Sequence, residues 1–159
     1  MERKVVLSDY ARVITVVCTV IMCAALWYSY PEKTLFYILA AVVLLALLST
    51  IWYAPAAISA DKDAVCVHRL LRKTVIPADE ISSVKPLQPT MGAKRICGSG
   101  GVMGYWGWFS EKDTGKYFAY YGKASDCFMI TLRNGRKYLL SCADSASMTK
   151  YINQTINSK

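Results

Sequence analysis

Two apolar stretches without a single charge, Val13–Tyr30 and Leu35–Tyr53, constrain this chain more than any other feature of it. They hold 18 and 19 residues. At about 1.5 Å of rise per helical residue, each reaches roughly the 30 Å of a bilayer's hydrocarbon core. Between them Pro31-Glu32-Lys33-Thr34 suits a tight turn outside the lipid. The expectation is a transmembrane helical hairpin over residues 13–53, preceded by a short tail, 1–12, and followed by a domain over 54–159. Neither run carries a residue of the kind that marks a proton path or a transport site, so the hairpin reads as an anchor.

Basic residues near the spans set the expected orientation. Arg3, Lys4 and Arg12 precede the first span, against Lys33 alone in the turn. That bias places the N-terminal tail in the cytoplasm, and two crossings return the C-terminal domain there. Aromatic residues agree: Trp27, Tyr28, Tyr30, Phe36 and Tyr37 gather around the outer turn, and Trp52 and Tyr53 at the inner end. A cleaved signal peptide fits the first run less well. Its length exceeds the usual apolar core of about 7–15 residues, and no small-x-small site follows.

Cysteine usage suits a reducing compartment. Cys66, Cys97, Cys127 and Cys142 are scattered through the domain with no C-x-x-C pair, and His68 is the sole histidine. No metal or cofactor is expected from such spacing. The domain carries fifteen basic against eight acidic residues, a formal charge of +7. Beside an anionic leaflet that charge is attractive. Nucleic acid is the other usual partner of a basic domain, but no motif supports it.

Within the domain the apolar period is that of strands. Val65 and Val67 alternate with Cys66 and His68, Val75-Ile76-Pro77 follows a basic turn, and Ala78-Asp79-Glu80 reads as a short polar turn before a strand around 82–87. Cys127–Leu132 and Lys137–Ser141 flank Asn134-Gly135, which predicts a hairpin with a type I′ turn. Phe128, Ile130 and Leu132 should then share a face with Tyr138 and Leu140. Met148, Tyr151, Ile152 and Ile156 recur at helical spacing behind a cap at Asp144 or Ser145, with Lys150 and Lys159 towards the helix end.

The stretch 90–116 is the least regular. Its glycines match neither nucleotide-binding pattern: a dinucleotide fingerprint from Gly98 meets Met103 where glycine is required, and a phosphate loop ending at Gly122-Lys123 meets Tyr117 and Ala124. Sharp turns and close backbone approach are the better use for them. The neighbouring aromatics, Tyr105, Trp106, Trp108, Phe109, Tyr117, Phe118, Tyr120 and Tyr121, are expected mostly to fill the core between two sheets, with an exposed aromatic rim as the alternative. Catalysis finds little support. Asp79 and Glu80 are adjacent and cannot act as one acid/base pair on a strand, and nothing local activates Cys97 or His68.

Three segments in order carry a resemblance. They are Arg72-Lys73-Thr74-Val75-Ile76-Pro77-Ala78-Asp79-Glu80-Ile81, the glycine-aromatic positions Gly101, Gly104, Tyr105, Gly107 and Phe109, and Asn134-Gly135-Arg136-Lys137-Tyr138-Leu139-Leu140-Ser141 ahead of a final helix. Over roughly residues 56–155 the chain resembles the bacterial pleckstrin-homology-like (PH-like) family. The resemblance implies an α+β domain: a β-roll of two orthogonal antiparallel sheets, about seven strands, capped by the C-terminal helix. It brings no catalytic residues. It also implies a bacterial cytoplasmic membrane around the two spans.

The resulting expectation is a membrane-anchored, non-catalytic binding or scaffold module that recognises a protein partner at the inner leaflet. Anionic lipid headgroups are the alternative ligand, and a regulatory subunit of a membrane enzyme or transporter is the third reading. The candidate contact residues are Arg69, Arg72 and Lys73 in the first hairpin and Arg133, Arg136 and Lys137 around the last. In a small β-roll, hairpin loops can project together from one end.

Overall fold

The computed structural model of the protein describes residues 1–90 and 92–157. Strand β1 (Glu2–Lys4) precedes helices α1 (Asp9–Ser29) and α2 (Lys33–Tyr53). Ser8 caps α1 by accepting the Ala11 N–H at 3.2 Å. Both helices are long and apolar enough to cross a membrane, and no residue of α2 is buried. Only Ala54 separates α2 from β2 (Pro55–Ala60).

The domain continues with β3 (Ala64–Arg69), β4 (Lys73–Pro77), a 3₁₀ turn (Ala78–Glu80) and β5 (Ile81–Pro86). Then come β6 (Lys94–Gly101), β7 (Gly104–Glu111), β8 (Gly115–Tyr121), β9 (Cys127–Leu132), β10 (Lys137–Ser141) and α3 (Ser145–Asn157). They form a four-stranded sheet, β1-β2-β3-β4, and a six-stranded sheet, β5-β9-β10-β8-β7-β6. Lys159 lies outside the described residues.

The architecture is the expected α+β one, with four differences. There are ten strands among the described residues instead of about seven. The segment before α1 supplies β1, with Arg3 opposite Ile58 on β2. The glycine-rich stretch supplies the long hairpin β6–β7, where irregular structure was expected. Finally, the sheets are not wholly antiparallel. After β8 the chain skips one position to form β9, and β10 returns into the gap, so β10 lies parallel to β8.

Gly98 and Gly107 face each other across β6 and β7. A Cβ on Gly98 would overlap the Trp106 carbonyl oxygen, and one on Gly107 the Cys97 carbonyl oxygen. Close approach is therefore what these two glycines provide, although their low strand propensity hides the strands from a periodicity reading.

Two apolar clusters follow from strand alternation. Ile58, Val65, Val67, Ile76, Tyr120, Phe128, Ile130 and Leu140 meet between the sheets, closed by Met148 and Ile152 of α3. Phe109, Tyr117, Ala119, Tyr121, Met129 and Leu139 pack on the opposite face of the six-stranded sheet, with Leu87 against them. The aromatics thus divide between two faces, and only some of them fill the core between the sheets. Buried Glu111 ties this second layer together: its Oε1 accepts the Tyr117 hydroxyl at 2.8 Å and the Thr90 N–H at 3.2 Å.

The β9–β10 hairpin forms with the expected pairing, Tyr138 opposite Ile130 and Leu140 opposite Phe128. Its turn is not type I′. Gly135 has φ of 81°, but Asn134 is not at positive φ. The loop is one residue longer: the Gly135 N–H donates to Leu132 O and the Leu132 N–H to Arg136 O, the three-residue arrangement with glycine at the left-handed position. Asp144, at φ of 60°, precedes α3 and accepts the Ser147 N–H at 3.4 Å.

Candidate functional site

The two helices meet the domain through a specific set of side chains. Tyr53, the last residue of α2, stacks on Trp106 of β7 with ring centroids 5.2 Å apart. Arg69, at the end of β3, reaches back to the same place. Its Nη1 donates to the Trp52 carbonyl at 3.3 Å and its Nη2 to Thr74 Oγ1 at 2.9 Å. The guanidinium also lies 5.9 Å from the Tyr53 ring and 5.6 Å from the Tyr120 ring. Trp52 O belongs to the last turn of α2, where carbonyls lack helical partners and a cation is favoured. Burial pushes the Tyr120 hydroxyl up in pKa, opposed by its bond with Thr74 and the Arg69 charge.

On the other side, the β6–β7 turn sits against α1. The Met103 N–H donates to Thr15 Oγ1 at 2.9 Å, and Gly101 lies against Ile14 and Tyr10. Met103 holds a positive φ of 52°, uncommon for a side chain of its size. The approach to α1 is pinned as well, since the Ser8 N–H donates to Gly122 O at 2.9 Å. Helices and domain therefore share packing at their junction instead of hanging on a tether.

Strand direction divides the six basic residues nominated from sequence. β7 runs from Gly104, beside α1, to Glu111, and β8 returns from Gly115 to Tyr121. β10 is parallel to β8, so it starts at the end away from the helices. Arg133, Arg136 and Lys137 therefore lie far from the helical hairpin, next to the 3₁₀ turn, where the Arg133 N–H donates to Glu80 O. Arg69, Arg72 and Lys73 lie beside α2, with Arg72 5.7 Å from the Trp52 ring. An eight-residue strand spans roughly 25 Å, so the two sets do not form one binding site. Within each set one residue is committed: Arg69 as described, and Lys137, whose Nζ donates to Thr114 O at 2.6 Å. Arg72, Lys73, Arg133 and Arg136 are exposed.

The residues weighed for catalysis do not assemble. His68 sits on the four-stranded sheet, with its Nε2 2.7 Å from Ser59 Oγ, while Cys97 is on the six-stranded one. Among the described residues no group of three or more His, Cys, Asp and Glu is placed to hold a metal.

A further surface lies along β6, where the sequence offered an exposed aromatic rim only as the alternative to core packing. β6 is an edge strand and contributes no residue to either apolar cluster. Ile96 is 55% exposed, its neighbour Cys97 is exposed, and Trp108, paired with Cys97, is 44% exposed. Aromatic density hinted at this rim. Which ring stays outside depends on how far the six-stranded sheet outruns its partner, and no local pattern reports that.

Sequence comparison adds a family. Residues 56–156 match the family model described as bacterial PH domain. No curated protein and no solved structure matches the chain.

Proposed function

The chain belongs to the bacterial PH domain family, and from that premise we propose a membrane-anchored, non-catalytic scaffold that binds a protein partner beside the bilayer. α1 and α2 form the anchor. The tail and the domain face the same compartment, the cytoplasm, a reading supported by β1 pairing with β2 and by the basic bias around Arg3, Lys4 and Arg12. A strand formed before the first span cannot join a sheet formed after the second unless both lie on one side.

The observation that carries partner binding is the free β6 edge with Ile96 and Trp108 beside it. An edge strand offers unpaired N–H and C=O groups, and proteins usually blunt such edges with charge or cover. A bulge interrupts the β6 register at Ile96, and the Gly101 end lies against α1. Between them Ile96 and Trp108 add apolar side chains to the edge, which suits an extended peptide segment added as a further strand. Lys94 and Arg95, exposed at the start of β6, favour acidic residues in that segment.

Cys97 allows a direct test. A thiol-directed photocrosslinker placed there in intact membranes should capture a discrete partner. Ile96→Lys with Trp108→Lys should abolish capture while the domain still melts cooperatively, at a slightly lower temperature because Trp108 packs edge-to-face on Phe118 at 5.1 Å. Identical capture by the double variant would remove the β6 edge as the binding surface.

A further inference from the structure

We propose that the β3–β4 turn is a second membrane contact, in which Leu70 and Leu71 enter the apolar side of the interface while Arg72 and Lys73 hold anionic lipid headgroups. This rests on the reading of α1 and α2 as membrane spans.

The turn is tight. His68 pairs with Lys73, and the Arg69 N–H donates to Arg72 O at 2.8 Å, leaving Leu70 and Leu71 at the tip. Such tips favour Gly, Asn, Asp and Ser, which satisfy the backbone and face water. Two leucines that are 62% and 68% exposed are the opposite choice. They have no packing role in the domain, since neither belongs to an apolar cluster.

Position supplies the occupant. Arg69, immediately before the leucines, bonds the Trp52 carbonyl, and Arg72, immediately after them, lies over the Trp52 ring. Trp52 and Tyr53 end α2 at the depth where aromatic side chains settle, between headgroups and acyl chains. The leucine tip is thus continuous with the surface that α2 already presents to lipid. Charge agrees with an anionic bilayer: Arg72 and Lys73 are exposed beside the tip. A second apolar tip lies on the same side, where Met103, 38% exposed, meets Thr15 of α1. Two tips flanking the helices would fix the tilt of the domain and so the direction in which the β6 edge faces.

The test uses the full chain in nanodiscs of phosphatidylcholine and phosphatidylglycerol, with Cys18, Cys23, Cys66 and Cys97 replaced by Ser. Single nitroxide labels go on Leu71→Cys, Val20→Cys and Asp113→Cys. The Leu71→Cys label should shift from collision with a water-soluble nickel chelate towards collision with oxygen, as the Val20→Cys label does, while Asp113→Cys stays water-like. Arg72→Gln with Lys73→Gln should make the Leu71→Cys label shallower. A water-like Leu71→Cys label beside a lipid-like Val20→Cys label would overturn the turn's membrane contact and leave the anchor standing. A water-like Val20→Cys label would overturn the anchor itself. Equal depth in pure phosphatidylcholine would overturn the headgroup assignment.

Discussion

Arg69 illustrates how far a residue's role depends on distant neighbours. In sequence it is one of three basic residues around a turn, indistinguishable from Arg72. In the fold it braces the end of α2, because the helix ends 16 residues earlier in the chain at a point that β2 and β3 bring alongside. Arg69→Ala should lower the stability of the full chain by about 1.5–3 kcal/mol, the range for hydrogen bonds to a charged group. Arg72→Ala should change it by no more than about 0.5 kcal/mol, as for exposed substitutions elsewhere. Thermal melting in one detergent compares the two, and equal losses would deny Arg69 its bracing role. Gly135 was legible as a turn residue, though not the class of turn, since Asn-Gly serves both loop lengths. A Cβ there meets nothing within 4 Å, so the cost of Gly135→Val is that of positive φ alone, about 1–3 kcal/mol. Cys142 adds a pH dependence. Burial, then Asp144, pushes its thiol up to about 11 from an ordinary 9.0. An unfolded chain releases that proton first, so this contribution to stability is whole below about pH 9 and is lost as pH rises to about 11. Cys142→Ala should flatten that alkaline decline; a limb of unchanged steepness would contradict the assignment.

At the scale of elements, legibility followed periodicity. β3 buries alternate apolar residues and α3 helically spaced ones, and β4 and β5 follow β3 with Ile76, Ile81 and Val84 buried. β9 and β10, buried on both faces, were marked by their apolar runs around Asn134-Gly135. β1 and β6–β7 were missed for two different reasons. Glu2, Arg3 and Lys4 are all exposed, so β1 exists through backbone pairing with β2 and leaves no apolar trace. β6–β7 carries glycines where close packing forbids side chains, which removes the alternation a reader looks for. Gly107→Val should therefore cost more than about 3 kcal/mol, because β6 would have to move. Ile152→Asp should be comparably severe, since Ile152 is 3% exposed under α3 and nothing there would pair a charge. Circular dichroism melts of both variants would test the two claims, and wild-type stability in either would contradict the packing described.

For the whole molecule, the two apolar runs and the family resemblance conveyed the architecture, whereas the geometry of the basic surface lay beyond any local pattern. Strand direction decides that Arg133 and Arg136 stand at the end away from the helices, and direction follows from β10 inserting between β9 and β8. The assembled picture is a hairpin and domain locked by Tyr53 on Trp106, Arg69 on Trp52, and β1 on β2. It requires the chain on either side of the helical pair to occupy one compartment. Dual reporter fusions test this most directly, one at Lys33 in the helical turn and one at the C-terminus, each carrying alkaline phosphatase or green fluorescent protein. The account predicts phosphatase activity only from the Lys33 fusion and fluorescence only from the C-terminal one. Like signals from the two fusions would deny α2 its crossing and contradict it, and phosphatase activity from the C-terminal fusion alone would overturn the cytoplasmic assignment.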